Sequence, residues 1–283
     1  MDDNTPATMP FFSTAERLVL QRPSDDWDLV VDEGPVIATA IHDGHLMRPS
    51  LIAHLAIDED QRRREEDPMT GVLVSAGDVR LCVRASRFQV DLNRSRERAL
   101  STNLEDTWGV RVWKGPVPER ELELSLAAHD RFYAMVTELV EHLIARWGCV
   151  LVLDIHSYNH RRAGADARPA TAGGNPDIDI GATTLDRSRW GAVVERMIEV
   201  LGGHTAGGRR LDVRENVRYP DGGHFPEWLH ATYGDRVCAI TLEYKKIYMD
   251  EWTGQADIEI VEDLRKGLDA AVAAVRAEFI ACR

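Results

Sequence analysis

The sequence predicts an α/β fold in which one domain, residues 1–283, builds a mixed, mostly parallel sheet flanked by helices. Two observations carry that prediction. Several short apolar runs lack the apolar/polar alternation of a half-exposed strand, as expected of strands buried on both faces. Longer segments of helical period stand between them, the arrangement of strands wrapped by helices. No internal repeat or biased linker divides the chain.

In chain order, strands are expected at Trp27–Val31, Val36–Ile41, Val79–Val83 with Gln89–Leu92, Val150–Ile155 and Val237–Leu242. The clearest helix runs from about Arg120 to Ala145, where Leu122, Leu126, His129, Phe132, Val136, Leu139 and Leu143 recur at three- and four-residue steps. It ends at Gly148 and feeds the apolar run CVLVLDI. Further amphipathic helices are expected over Arg187–Leu201 and Glu259–Cys282. The Gly/Pro-rich stretch Ala163–Pro176 sustains neither regular element and reads as a long active-site loop.

Composition narrows the function classes. A chain of 283 residues buries a core without disulfide or metal staples. With 34 Lys+Arg against 47 Asp+Glu, its formal charge of −13 repels nucleic-acid phosphates and anionic membranes. Cys82, Cys149, Cys238 and Cys282 show no CxxC spacing, which fits a reducing, cytoplasmic compartment. The opening MDDNTPATMPFF has neither a basic region nor a long apolar stretch, so no membrane segment is expected.

Ligands of such sheets gather beyond the carboxyl ends of the strands, so the polar residues that follow each apolar run are the ones to examine. His42-Asp43-Gly44-His45 follows VIATAI, His156-Ser157 follows CVLVLDI, and Glu243 follows VCAITL. Two imidazoles three residues apart across a glycine turn, joined by a third from a neighbouring strand end, would make a zinc site with one position left open. The plainer reading is a set of hydrogen-bonded structural histidines and a solvated strand-end acid. His54, His129 and His142 read as surface or packing residues, and His204 as part of a turn. Asp91-Leu92-Asn93-Arg94 places a guanidinium beside an amide, a pair able to grip a carboxylate or, alternatively, to cap a helix. Ser157 lacks the GxSxG setting of a serine nucleophile.

Taken in order, HDGHxxRP, DLNR, DIHS, GGH and LEYKKIYMDE, spread over about residues 36 to 252, resemble the N-formylglutamate amidohydrolase family. That family in turn is similar to the zinc carboxypeptidase and aspartoacylase group, which implies a zinc-carboxypeptidase-like fold. The resemblance implies metal ligation by His42 and His156, carboxylate binding by Asn93 and Arg94, and general-base work by Glu243. Arg87 stands where the group's carbonyl-polarising arginine is placed, one residue short in spacing, with Arg84 competing. Arg161 and Arg162 are candidates for a second carboxylate, and His224 for the pocket wall. Two departures follow. His45 occupies the position of a ligand glutamate, so the remaining ligand is expected to be His45 or, from the acidic cluster Glu65-Glu66-Asp67, Glu66; His45 is preferred. Lys245-Lys246 stand where arginine is usual, which leaves the substrate side chain open.

These residues together imply a zinc-dependent amidohydrolase, or one using another divalent ion, acting on a small acidic N-acyl amino acid with N-formylglutamate foremost. The rivals are a carboxypeptidase-like or other N-acyl-amino-acid deacylase and a non-catalytic ligand-binding descendant of the fold.

Overall fold

A computed structural model describes residues 26–281. Its sheet has seven strands: β1 Trp27–Val31, β2 Val36–Ala40, β3 Val79–Val83, β4 Val150–Tyr158, β5 Ile178–Gly181, β8 Val213–Glu215 and β9 Val237–Lys245. They lie in the order β1-β3-β2-β4-β9-β5-β8. The central strands β3, β2, β4 and β9 are mutually parallel, whereas β1 and β5 run antiparallel to their inner neighbours. Every residue of β2 and β4 is buried, and all of β9 but its last, which accounts for the unbroken apolar runs. Strand β1, at the edge, alternates between half-buried and exposed residues. A separate hairpin pairs β6 Thr205–Ala206 with β7 Arg209–Arg210.

The period of two within each strand assigns alternate residues to two cores. Val36, Ala38, Leu151, Leu153, Cys238 and Ile240 face α5 (Arg187–Gly203) and α7 (Ile258–Ala281), which contribute Trp190, Met197, Leu268 and Phe279. Ile37, Val150, Val152, Val237 and Ala239 face α4 (Glu119–Trp147) and α6 (His224–Tyr233), which contribute Phe132, Leu139, Leu143, Phe225 and Leu229. The same alternation places Asp154, His156 and Glu243 on the α4/α6 side, at the carboxyl ends of their strands. A smaller cluster of Leu51, Leu55, Phe88, Leu100 and Trp113 lies beneath the loops beyond β3. The short helices α1 Pro49–Ile52, α2 Glu59–Glu65 and α3 Thr70–Leu73 connect β2 to β3.

The mixed, mostly parallel sheet between helical layers is the predicted architecture. The three long helices agree with expectation to within a few residues at each end, and Cys282 lies outside the described residues. Gln89–Leu92, expected as strand, is instead a turn in which Gln89 N and Val90 N both donate to Ser86 O. Its apolar residues Val90 and Leu92 are buried in the core on the α4/α6 side of the sheet, so they show the run of a buried strand without sheet pairing. Strands β5 and β8 are too short and too mixed in composition to have been read from sequence. Among the described residues, no helix is long and apolar enough to cross a membrane.

Candidate active site

His42 lies two residues beyond β2, and His156 lies inside β4, where it stands beside Glu243 of β9 in the parallel register. Their rings meet edge to face, with centroids 4.8 Å apart. Each imidazole is anchored through Nε2 by a carboxylate: His42 by Asp91 Oδ1 at 2.8 Å and His156 by Asp154 Oδ2 at 2.9 Å. Asp154 sits two residues before His156 on the same face of the strand, and Thr39 Oγ1 donates to its other oxygen at 2.8 Å. With both Nε2 atoms engaged, the two Nδ1 atoms turn inward toward a single carboxylate oxygen. Asp67 Oδ2 is 3.1 Å from His156 Nδ1 and 3.5 Å from His42 Nδ1.

His42, Asp67 and His156 form the group of potential metal-ligand residues found among the described residues, one ligand atom from each lying within 4.8 Å of the others. The donors fit a divalent cation. Two ligand atoms held about 2.1 Å from a tetrahedral zinc stand roughly 3.4 Å apart, close to the Asp67–imidazole separations. His42 Nδ1 is buried and has no hydrogen-bond partner of its own. A carboxylate behind each ligating imidazole is also the usual support of metal-binding histidine. The electrostatics agree with that reading. Burial opposes an ionised Asp67, yet the two imidazoles outweigh it and hold the carboxyl well below its ordinary range. Burial likewise opposes a charged His156, but Asp154 and Asp67 keep its pKa well above the ordinary imidazole value.

Asp67 reaches this position because its segment is tied down on every side. Its backbone N donates to His42 O at 3.0 Å. The buried Lys246 Nζ donates to Arg64 O and Glu66 O, both at 2.7 Å, and to Asn159 Oδ1 at 2.9 Å. Tyr248 Oη donates to Pro68 O at 2.9 Å. The 246–248 stretch therefore brackets Asp67 from both flanks. Farther along the same motif, Glu251 accepts from the backbone N of His160 and Arg161 at 2.8 and 2.7 Å, fixing the chain beyond β4.

His45 is not part of this cluster. Residues 41 and 42 form a turn, the next three have no regular structure, and Leu46 N donates to Arg84 O at 2.9 Å. His45 is exposed and lines a different cleft, with Asp43, Asp60 and Trp252. Glu66 also faces that cleft and accepts from Arg62 and Ser86. The third member of the group is Asp67, the last acid of the charge run.

The cleft above the cluster has a volume of about 280 Å³, which suits a small molecule. Glu243 lines it, and burial pushes its carboxyl pKa upward, with Asp67 adding to the effect and His156 and Arg87 opposing it. Arg87 lines it too, and its Nη2 donates to Asp91 Oδ2 at 2.9 Å, so one carboxylate anchors both His42 and Arg87. Arg84 instead pairs with Asp28 on the exposed face of the sheet edge.

Arg94 lines the cleft with its Nε buried and unpartnered. Its turn is held to α4, where Tyr133 Oη donates to Leu92 O at 2.9 Å and His129 Nε2 lies 3.1 Å from Arg94 O. The Asn93 carboxamide binds the opposite wall: its Nδ2 donates to Gly222 O and its Oδ1 accepts from Phe225 N, both at 2.9 Å. This contact requires glycine at 223, and Thr241 requires it at 222. At Gly223 (φ +100°) a Cβ would fall 2.3 Å from Asn93 Nδ2, and at Gly222 (φ +69°) one would fall 2.1 Å from Thr241 Oγ1.

Two further expected residues lie outside the cleft. Arg161 pairs with Asp250 at 2.6 Å, and His224, at the start of α6, packs toward Tyr133 with ring centroids 5.9 Å apart. Arg162 does line the cleft, paired with Glu65 at 3.0 Å. Trp108, Arg218 and Tyr219 complete its wall. Sequence reading passed over all three because they lie on irregular loops far from any strand-end motif. The 163–176 loop is irregular as expected, yet none of its residues lines the cleft.

Fold and site together define an α/β protein that gathers a buried His–Asp–His cluster, a buried glutamate and several arginines at the carboxyl ends of parallel strands, the placement of a small-molecule site. The chain belongs to the N-formylglutamate amidohydrolase family, whose model matches residues 34–249. Among solved structures it is similar to an N-formylglutamate amidohydrolase from Ralstonia eutropha JMP134. The two share 19% identity at a TM-score of 0.67, over 90% of this chain and 98% of that one. It is also similar to gene product Atu2144 from Agrobacterium tumefaciens, with 19% identity and a TM-score of 0.60 over 94% of this chain and 99% of that one. No curated protein matches it in sequence.

Proposed function

We propose that the chain is a metal-dependent amidohydrolase of small acidic N-acyl amino acids, with N-formyl-L-glutamate as the leading substrate and formate and glutamate as products. The observation that carries this reading is the inward-facing His42–Asp67–His156 set with Glu243 directly beside it on the next strand. Those three residues would hold the ion, zinc being the best match for two imidazoles and a carboxylate. When bound, a zinc ion supplies Lewis acidity that lowers the pKa of water and polarises a carbonyl.

The remaining work falls to the chain. Glu243, kept basic enough by burial to accept a proton, takes one from the attacking water and returns it to the departing amine nitrogen. Arg87, fixed by Asp91, points donors at the oxygen on which charge develops. Arg94, with the remaining Nδ2 hydrogen of Asn93, holds the α-carboxylate and so fixes the amide carbon against the nucleophile. Formate release from N-formyl-L-glutamate, compared with acetyl and succinyl release from their glutamate conjugates, tests the reading. Hydrolysis of the formyl substrate that disappears on chelation and returns with Zn²⁺ supports it. Hydrolysis indifferent to chelation, or confined to other acyl groups, overturns it.

A further inference from the structure

We infer that Arg218 reads the side-chain carboxylate of the substrate and thereby restricts the site to N-acyl amino acids with an anionic side chain. The inference rests on the amidohydrolase reading above and assigns a residue that no strand-end motif marked.

Charge accounting in the cleft leads to it. Four arginines line the cavity: Arg87, Arg94, Arg162 and Arg218. Arg87 is neutralised by Asp91 and Arg162 by Glu65. Among the described residues neither Arg94 nor Arg218 forms an ion pair with a carboxylate, and the Nε of each is buried without an acceptor. Two uncompensated guanidinium groups in one small cleft match a ligand with two carboxylates, since a guanidinium pairs with a carboxylate through parallel donors. Arg94 is already assigned to the α-carboxylate, which leaves Arg218 for the second.

Arg218 is also built into a rigid wall. The Asp179 carboxylate accepts from the backbone N of Val217, Arg218 and Tyr219 at 2.9, 2.7 and 2.8 Å. The guanidinium lies 4.8 Å from the Tyr158 ring centroid and 5.3 Å from that of Tyr219, and its Nη1 donates to Asn175 Oδ1 at 2.7 Å. None of these partners neutralises its charge. Across the sheet, Glu243 stands between His156 on β4 and Asp179 on β5. The Arg218 wall is therefore on the side of Glu243 away from the His–Asp–His set, about one strand spacing of ~4.8 Å beyond it. A substrate whose amide sits at Glu243 would extend its side chain in that direction.

The test is the ratio of kcat/KM for N-formyl-L-glutamate to that for N-formyl-L-glutamine, which differ by one negative charge at nearly equal shape. The native protein is expected to favour the glutamate substrate about ten- to a hundredfold, the worth of one charge-assisted hydrogen-bonded contact. Arg218→Met should bring the ratio close to one, whereas Arg94→Met should depress both substrates and keep it. Arg218→Gln, which retains a donor toward Asn175 without the charge, provides the same comparison if the methionine variant does not fold. An unchanged ratio in the Arg218 variants, or an equal fall for both substrates, overturns the assignment. Should the native protein release formate from neither substrate, the hydrolase reading fails on its own. Calorimetric binding of L-glutamate against L-glutamine then decides the Arg218 question: a glutamate preference lost in Arg218→Gln supports it, and no preference in the native protein overturns it.

Discussion

Replacing Asp67 with asparagine removes the negative charge from the proposed ligand set while leaving a side chain of the same shape. The carboxylate oxygen lies 3.1 and 3.5 Å from the two Nδ1 atoms, so the substitution acts on both imidazoles at once. Zinc binding of about 10–16 kcal/mol shared among four ligand positions amounts to ~2.5–4 kcal/mol for each, or roughly a hundredfold to a thousandfold in Kd. One effect opposes this. Burial disfavours a charged His156 and Asp154 and Asp67 favour it, so losing Asp67 loosens the His156 proton and eases its displacement by metal. That relief is partial, because Asp154 remains at 2.9 Å. The expected result is a Kd for Zn²⁺ weakened at least a hundredfold, measured by competition with a chromogenic chelator. His45→Ala, on an exposed residue facing another cleft, is expected to leave Kd within about twofold of the native value. A variant Asp67→Asn that binds zinc as tightly as the native protein, with His45→Ala failing to bind, would refute the assignment.

Asp91→Asn should lower metal affinity or kcat/KM about ten- to a hundredfold, because the carboxylate that orients His42 also holds Arg87, and an amide cannot accept from both; chelator competition and steady-state kinetics read it. Glu243→Gln should reduce kcat by about 10²–10⁴ while metal content by elemental analysis stays near that of the native protein; loss of metal would instead make Glu243 a ligand. Lys246→Met leaves buried carbonyls of the Asp67 segment without their donor, so a loss of about 1–3 kcal/mol and a melting temperature lower by a few degrees are expected, together with weaker Zn²⁺ binding. An unchanged melting curve and Kd would show that this segment is held without Lys246.

What the sequence disclosed about the fold follows from burial. Strands β2, β4 and β9 are enclosed on both faces, so their apolar runs had no competing reading. Their carboxyl ends were placed too early at Ile155 and Leu242, because polarity was taken as the end of a strand. Here the polar residues Asp154, His156 and Glu243 are themselves buried strand residues: His156 is paired with Asp154 and Asp67, and Glu243 stands beside it in the register. Gln89–Leu92 failed in the opposite sense: Val90 and Leu92 pack into the core beside the sheet, so the segment has the composition of a strand without its hydrogen bonds.

His42, His156, Glu243, Arg87 and Arg94 were all found from strand ends or motifs, and the structure brings them to one cleft. The third member of the His–Asp–His cluster was missed for a physical reason. A run such as RRREED is ordinarily a solvated face, and nothing local shows that its last acid is drawn inward. The cause is nonlocal, residing in Lys246 and Tyr248 some 180 residues away, whose donors seize the carbonyls around Asp67. The Lys245-Lys246 departure bears on the scaffold rather than on the substrate side chain. Lys246 in fact binds the chain itself, and Lys245 pairs with Asp177 at 2.8 Å.

The central claim is that one divalent ion is held by two imidazoles and one carboxylate. X-ray absorption at the zinc edge on protein purified without chelator addresses it directly. Two imidazole nitrogens at about 2.0–2.1 Å, at least one oxygen at about 2.0–2.2 Å and roughly one zinc per chain are predicted. A shell of three imidazoles, any sulfur ligand near 2.3 Å, or protein that takes up no zinc would contradict it.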